Sequence, residues 1–88
     1  MGIEVGSVVY SKAGRDKDNC YVVIACESNN YFLVVDGKAR TLVKPKRKNL
    51  RHLKSKGAVL TAIAEKLNAG KQVFDSEIRS ALRAHIEV

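Results

Sequence analysis

Apolar positions follow a strand-like pattern in the first half of the chain and a helix-like pattern in the second. Residues 5–11 and 19–27 are rich in Val, Ile, Tyr and Cys, types that suit a pleated and half-buried surface. The turn-like run Ala13-Gly14-Arg15-Asp16-Lys17-Asp18 separates them. Ser28-Asn29-Asn30 makes the next turn, and residues 31–36 form a third strand. Asp36-Gly37 is a strong hairpin signal, because both residues tolerate the positive φ of a type I′ turn. Arg40, Leu42 and Lys44 then alternate with Ala39, Thr41 and Val43, which predicts a fourth strand over 39–44.

The second strand is apolar on both faces, with Cys20, Val22, Ile24 and Cys26 on one and Tyr21, Val23 and Ala25 on the other. The third is likewise apolar on both sides. Such strands need cover on two sides. A small closed or half-closed barrel covers the inside, and helices from the second half can cover the outside.

Pro45 cannot donate to a ladder and is expected to end the fourth strand. Lys46-Arg47-Lys48-Asn49 then reads as a basic loop. Leu50 and Leu53 flank Arg51 and His52 and fit either a short fifth strand or one helical turn. Beyond them, Val59, Ile63 and Leu67 recur at spacing four, with Leu60 and Ala64 in the same stripe. Ser55 is the expected N-cap and Gly70 the stop. Asp75 or Ser76 caps a second helix, with Ile78, Leu82 and Ile86 on one face and Phe74 just before it. Residues 1–54 are thus expected to form a β-domain, and 55–88 a helical pair packed on it.

Composition adds little until charge is considered. With 88 residues, 45% of them apolar and 28% charged, the chain suits one small folded domain. Its net charge of +7 is unusual for that length and points to a polyanion. The excess is local. Residues 36–56 carry Lys38, Arg40, Lys44, Lys46, Arg47, Lys48, Arg51, Lys54 and Lys56 against Asp36 alone, a net of +8. Residues 1–35 net −1, and 57–88 net zero.

The candidate site therefore has two parts. One is the turn that carries Lys12, Gly14, Arg15 and Lys17; the other is the stretch with Lys44, Lys46, Arg47, Lys48, Arg51, His52 and Lys54. If both lie at one end of a barrel, they make a patch able to follow a phosphate backbone. Arg15, Arg47 and Arg51 can grip phosphates with two hydrogen bonds or stack on exposed bases. Tyr10 and Tyr31 are stacking candidates if exposed, although strand packing is the more ordinary role. Asp16 and Asp18 read as turn residues.

Residues 5–23 resemble a KOW motif, a β-turn-β unit built around a key glycine, which Gly14 matches. Val35-Asp36-Gly37-Lys38-Ala39-Arg40 and the stretch from Lys44-Pro45-Lys46-Arg47-Lys48-Asn49 to Leu53 resemble a more particular group. These are bacterial KOW-domain RNA-binding proteins, similar to the archaeal and eukaryotic large-subunit ribosomal proteins of the fourteen/six/twenty-seven class. The resemblance covers residues 5–54. It implies a small SH3-like antiparallel β-barrel of KOW type; with the two C-terminal α-helices read from periodicity, which lie outside the motif, the expected fold class is α+β. It also implies RNA, most plausibly ribosomal RNA, as ligand, with contacts at the glycine turn and the basic strand end.

Other classes fit less well. No Ser/His/Asp arrangement, phosphate-cradling glycine loop or His/Cys/carboxylate cluster is visible, so neither an enzyme nor a metal or cofactor is expected. Cys20 and Cys26, on one strand, would be about 20 Å apart, too far for a disulfide, and are expected to be buried small apolar residues. The alternative function is a protein-interaction module that docks a ribosomal or other partner through the 57–88 helices. No spanning segment or signal peptide is visible, which makes the cytosol the expected compartment and a membrane an unexpected partner. A monomer is the expected state.

Overall fold

A computed structural model describes residues 2–12, 14–15 and 17–86, with the backbone alone for Ile86. Its elements are β1 (Ser7–Ser11), β2 (Cys20–Cys26), β3 (Tyr31–Val35), β4 (Lys46–Asn49), β5 (Leu53–Val59), α1 (Thr61–Asn68) and α2 (Asp75–Ile86). Short 3₁₀ turns occupy Ser28–Asn30 and Leu50–His52. The strands form one sheet in the order β4-β3-β2-β1-β5, and every pairing is antiparallel. The chain is therefore α+β, a five-stranded antiparallel sheet with two C-terminal helices.

Both sheet faces are covered, as the two-sided apolar strands require. Val9, Tyr21, Val23, Phe32, Val34 and Leu53 pack together on one side. Val8, Val22 and Val35 face the other side and meet Ile63, Val73, Ile78 and Leu82 from the helical half. Ile78 and Leu82 are almost fully buried there, each contributing about 1.5–3 kcal/mol of apolar burial. The side chain of Ile86, expected on the same face, lies outside the description.

The sheet is open at its edges, β4 and β5, but strongly curled. In a flat sheet β4 and β1 would be three spacings apart, roughly 14 Å. Here Lys48 Nζ donates to Ser11 Oγ at 3.1 Å, so β4 has swung over the Val9–Phe32 side of the sheet. The Leu50–His52 turn joins the two edges. It resolves the alternatives at 50–53 in favour of both, a single helical turn followed by a strand.

The sequence places the fourth strand at 39–44 and a loop at 46–49, and the structure reverses them. Asp36-Gly37 does not close a two-residue hairpin. One carboxylate oxygen of Asp36 accepts the N–H groups of Lys38 and Arg40, at 2.8 and 2.9 Å. The Arg40 carbonyl in turn accepts from the N–H groups of Asp36 and Gly37. The chain thus wraps around a side chain, and the return strand is delayed until after Pro45. Pro45 precedes the strand rather than ending one. The charges of β4 are tolerated because it is an edge strand, where lysines also discourage pairing with another chain.

The first helix also begins later than its stripe suggests. Val59 is the last residue of β5, and the Leu60 N–H donates to Gly6 O at 2.8 Å, extending the contact with β1's approach. The Ser55 hydroxyl accepts from Gly57 N–H at 3.0 Å instead of capping a helix. Gly57, at φ +83°, lies where the β1–β5 register shifts. β5 thus runs through residues 54 and 55, and the helices start at Thr61. The cysteines differ too: both are free, Cys20 is half-buried and Cys26 is exposed.

Candidate nucleic-acid interface

The turn after β1 is held by its own backbone. Ser11 N–H donates to Asn19 O at 3.0 Å, and Asp18 N–H to Ser11 O at 2.8 Å. Gly14 and Asp18 take positive φ, +84° and +72°, which Gly supplies freely and Asp tolerates. Lys12, Gly14, Arg15 and Lys17 are exposed on this turn, whose Ala13 and Asp16 lie outside the description.

The Lys12 N–H donates to His52 O at 2.9 Å. That bond joins the turn to the Leu50–His52 segment, where the Asn49 side chain accepts from Arg51 N–H at 3.1 Å. Leu53, 4% exposed, anchors the start of β5 opposite Ser11, and Lys54 lies opposite Tyr10. Lys12, Arg15, Lys17, Arg51, His52 and Lys54 are therefore exposed residues of segments that share one end of the sheet.

The remaining residues of the basic stretch are dispersed. Lys44 is exposed in the 36–45 loop, its N–H bonded to Thr41 O. Lys46 is half-buried opposite Val34. Lys48 is only 8% exposed, opposite Phe32 and bonded to Ser11. Period-two alternation sends Arg47 to the other face, where its Nε is 2.8 Å from Glu27 Oε1. Its guanidinium also lies 3.8 Å from the centre of the Tyr31 ring. Tyr31 is thus covered by a cation, and Tyr10 has Lys56 Nζ 5.9 Å from its ring centre. Both rings are half-buried strand residues.

A second group of cations was not singled out by the sequence reading. Arg79 Nη1 donates to Gly37 O at 2.6 Å, which pins the 36–40 loop to α2. Asp75 accepts from Leu42 N–H at 2.9 Å and pins the same loop one turn earlier. Beside these contacts is a 310 Å³ cleft lined by Asp18, Asn19, Asp36, Lys38, Arg79 and Arg83, with Cys20 and Leu82. Averaging charge over 57–88 hid this feature. The spacing of four between Arg79 and Arg83, which places both on one helical face, was the signal available.

Partial burial, with the nearby Glu4 charge, pushes the Cys26 thiol up, which disfavours its reactive thiolate form. Among the described residues there is no group of three or more His, Cys, Asp or Glu placed to hold a metal ion. Nor is any helix there long and apolar enough to cross a membrane.

Large ribosomal subunit protein eL14 of Staphylothermus marinus is 34% identical to this chain over 88 aligned positions, covering 86% of this chain and 88% of the relative. That relative is archaeal and falls within the class of archaeal and eukaryotic ribosomal proteins to which the resemblance of residues 5–54 points. No family model matches the chain.

Proposed function

The chain belongs to the family of large ribosomal subunit protein eL14, and on that premise we propose that it binds ribosomal RNA as a ribosome-associated protein of the cytoplasm. The curled sheet is, in this reading, an SH3-like barrel of KOW type. The observation that carries the reading is the Lys12–His52 backbone bond, which brings two separate basic segments to one end of the sheet. Lys12, Arg15, Lys17, Arg51, His52 and Lys54 form the contact surface, with Lys44 and Lys46 extending it. Lys48 acts inside the fold. Binding is chiefly electrostatic, since each lysine or arginine that neutralises a phosphate releases condensed counterions.

The helices have a different role. Their apolar side chains Ile63, Ile78 and Leu82 are buried against the sheet, so that face is not available to a partner. A ribosomal protein neighbour would instead meet the exposed apolar residues Val43 and Phe74. Crosslinking in cells, followed by sequencing of the bound RNA, tests the reading. Recovery concentrated in one segment of large-subunit ribosomal RNA is expected. Diffuse recovery across cellular RNA would overturn it.

A further inference from the structure

We propose that the cleft between the 12–18 turn, the 36–40 loop and α2 takes one unstacked guanine nucleotide of the RNA. The inference rests on the RNA-binding reading and extends it to a surface that the basic stretch does not include. Asp18 and Asn19 continue directly from the Lys12–Lys17 turn, so a strand following that turn arrives at the cleft.

Size and lining both favour a single nucleotide. At 310 Å³ the cleft stands at the lower end of the range of about 300–1,000 Å³ typical of small-ligand sites, and it is too small for a duplex. Its cations are Lys38, Arg79 and Arg83, and its carboxylates are Asp18 and Asp36. A track for phosphates alone is weakened by carboxylates. A base edge carrying N–H donors is helped by them. Cys20, half-buried at the cleft wall, adds a small apolar contact for the base.

The individual groups divide the work. One oxygen of Asp36 is already used by two loop N–H groups. The Asp18 carboxylate makes no hydrogen bond among the described residues, and its backbone is fixed by the bond to Ser11 O. A carboxylate with neither oxygen engaged by a described residue matches two adjacent donors. Among the RNA bases, guanine presents that pair, N1–H beside N2–H. Arg83 and Lys38 have no side-chain partner among the described residues and can take the phosphate. Arg79 is held in place by Gly37 O and keeps its other guanidinium donors for the ligand.

Two of the walls, the 36–40 loop and α2, are tied to each other before any ligand arrives, which lowers the ordering cost of binding. Gly37 has φ +78°, and a Cβ there would lie 2.5 Å from Asp75 O, so the loop sits directly on α2. Asp75 holds Leu42 on the same helix.

The test is fluorescence anisotropy of the full chain with labelled single-stranded pentanucleotides that differ only in the central base, alongside a structured fragment of large-subunit ribosomal RNA. Central guanine should bind roughly fivefold to a hundredfold more tightly than the other bases. Asp18→Asn should erase that preference; asparagine keeps the positive φ, so the turn still forms. Arg83→Gln should weaken every pentanucleotide and lower the magnitude of the salt slope by about one. Equal affinity for all bases, with the ribosomal fragment still bound, overturns the cleft proposal and leaves RNA binding standing. A guanine preference that survives Asp18→Asn also overturns it. Failure to bind any of these RNAs overturns the RNA-binding reading itself.

Discussion

The backbone N–H of Lys12 donates to the carbonyl oxygen of His52 across 2.9 Å, tying the β1–β2 turn to the segment between β4 and β5. The two segments are forty residues apart in the chain, yet their cations should act as one surface. Replacing Lys12, Arg15 and Lys17 together by Gln should lower the magnitude of the salt slope of RNA binding by about 2–3, near one per lost phosphate contact. Replacing Arg51 and Lys54 should lower it by about 2. Titrating affinity against KCl measures both. A loss confined to one set would show that the RNA follows one segment and not the joined surface.

Lys48 should separate from its neighbours in the sequence. It is 8% exposed, and its ammonium bonds to the fully buried Ser11. Lys48→Ala removes a charged partner from a buried hydroxyl and should destabilise the fold by about 1–3 kcal/mol. Its RNA affinity, measured where the variant remains folded, should stay close to that of the parent chain. Urea unfolding and anisotropy on the same sample give both values. A marked loss of RNA affinity in a well-folded Lys48→Ala protein would return this residue to the contact surface.

Local pattern made much of this legible. Strands β1 to β3 lie within two residues of where apolar alternation puts them, and the two-sided strands correctly called for cover on both faces. What local pattern misses is competition. Asp36-Gly37 has hairpin chemistry, but the Asp36 carboxylate captures Lys38 and Arg40, and Asp75 draws Leu42 to the helix. The first outcome depends on backbone N–H groups beyond the dipeptide, and the second on a side chain of α2. Val59 and Leu60 have helical spacing, yet the ladder to β1 claims Val59 because β1 would otherwise lack a partner on that side. The basic run is visible in sequence, whereas its division into Lys54 exposed, Lys48 buried and Arg47 paired with Glu27 follows from strand register.

Gly6 and Gly57 separate steric contact from backbone strain. Both have positive φ, +92° and +83°. A Cβ at Gly6 would lie 2.6 Å from Ala64 Cβ, because α1 rests directly on the approach to β1. At Gly57 nothing lies within 4 Å. Gly57→Ala should therefore cost only the left-handed penalty, about 1–2 kcal/mol. Gly6→Ala adds the overpacking cost, for a total of about 2–5 kcal/mol. Denaturant midpoints measured under one condition give the comparison. Equal losses would show that α1 can move off the sheet without penalty.

Lys66 and Glu77 join the two helices, with Lys66 Nζ 2.5 Å from Glu77 Oε2, and the other Glu77 oxygen accepts from Phe74 N–H at the start of α2. The Lys66 hydrogen bond, followed by the Phe74 N–H bond, holds the Glu77 carboxyl below its usual range. A carboxyl with a depressed folded-state pKa binds fewer protons in the folded chain than in the unfolded one. Its stabilising effect is present above the unfolded pKa, about 4.3, and is lost as pH falls through the lower folded value. Glu77→Gln keeps an acceptor for Phe74 N–H but removes the charge opposite Lys66. Its Tm should fall slightly below that of the parent at neutral pH, as expected for an exposed pair. The difference should shrink as pH drops below about 4, where the parent glutamate also becomes neutral. Thermal unfolding of both proteins across that range is the measurement. A gap that stays constant into acid would place the effect in side-chain packing rather than in the ion pair.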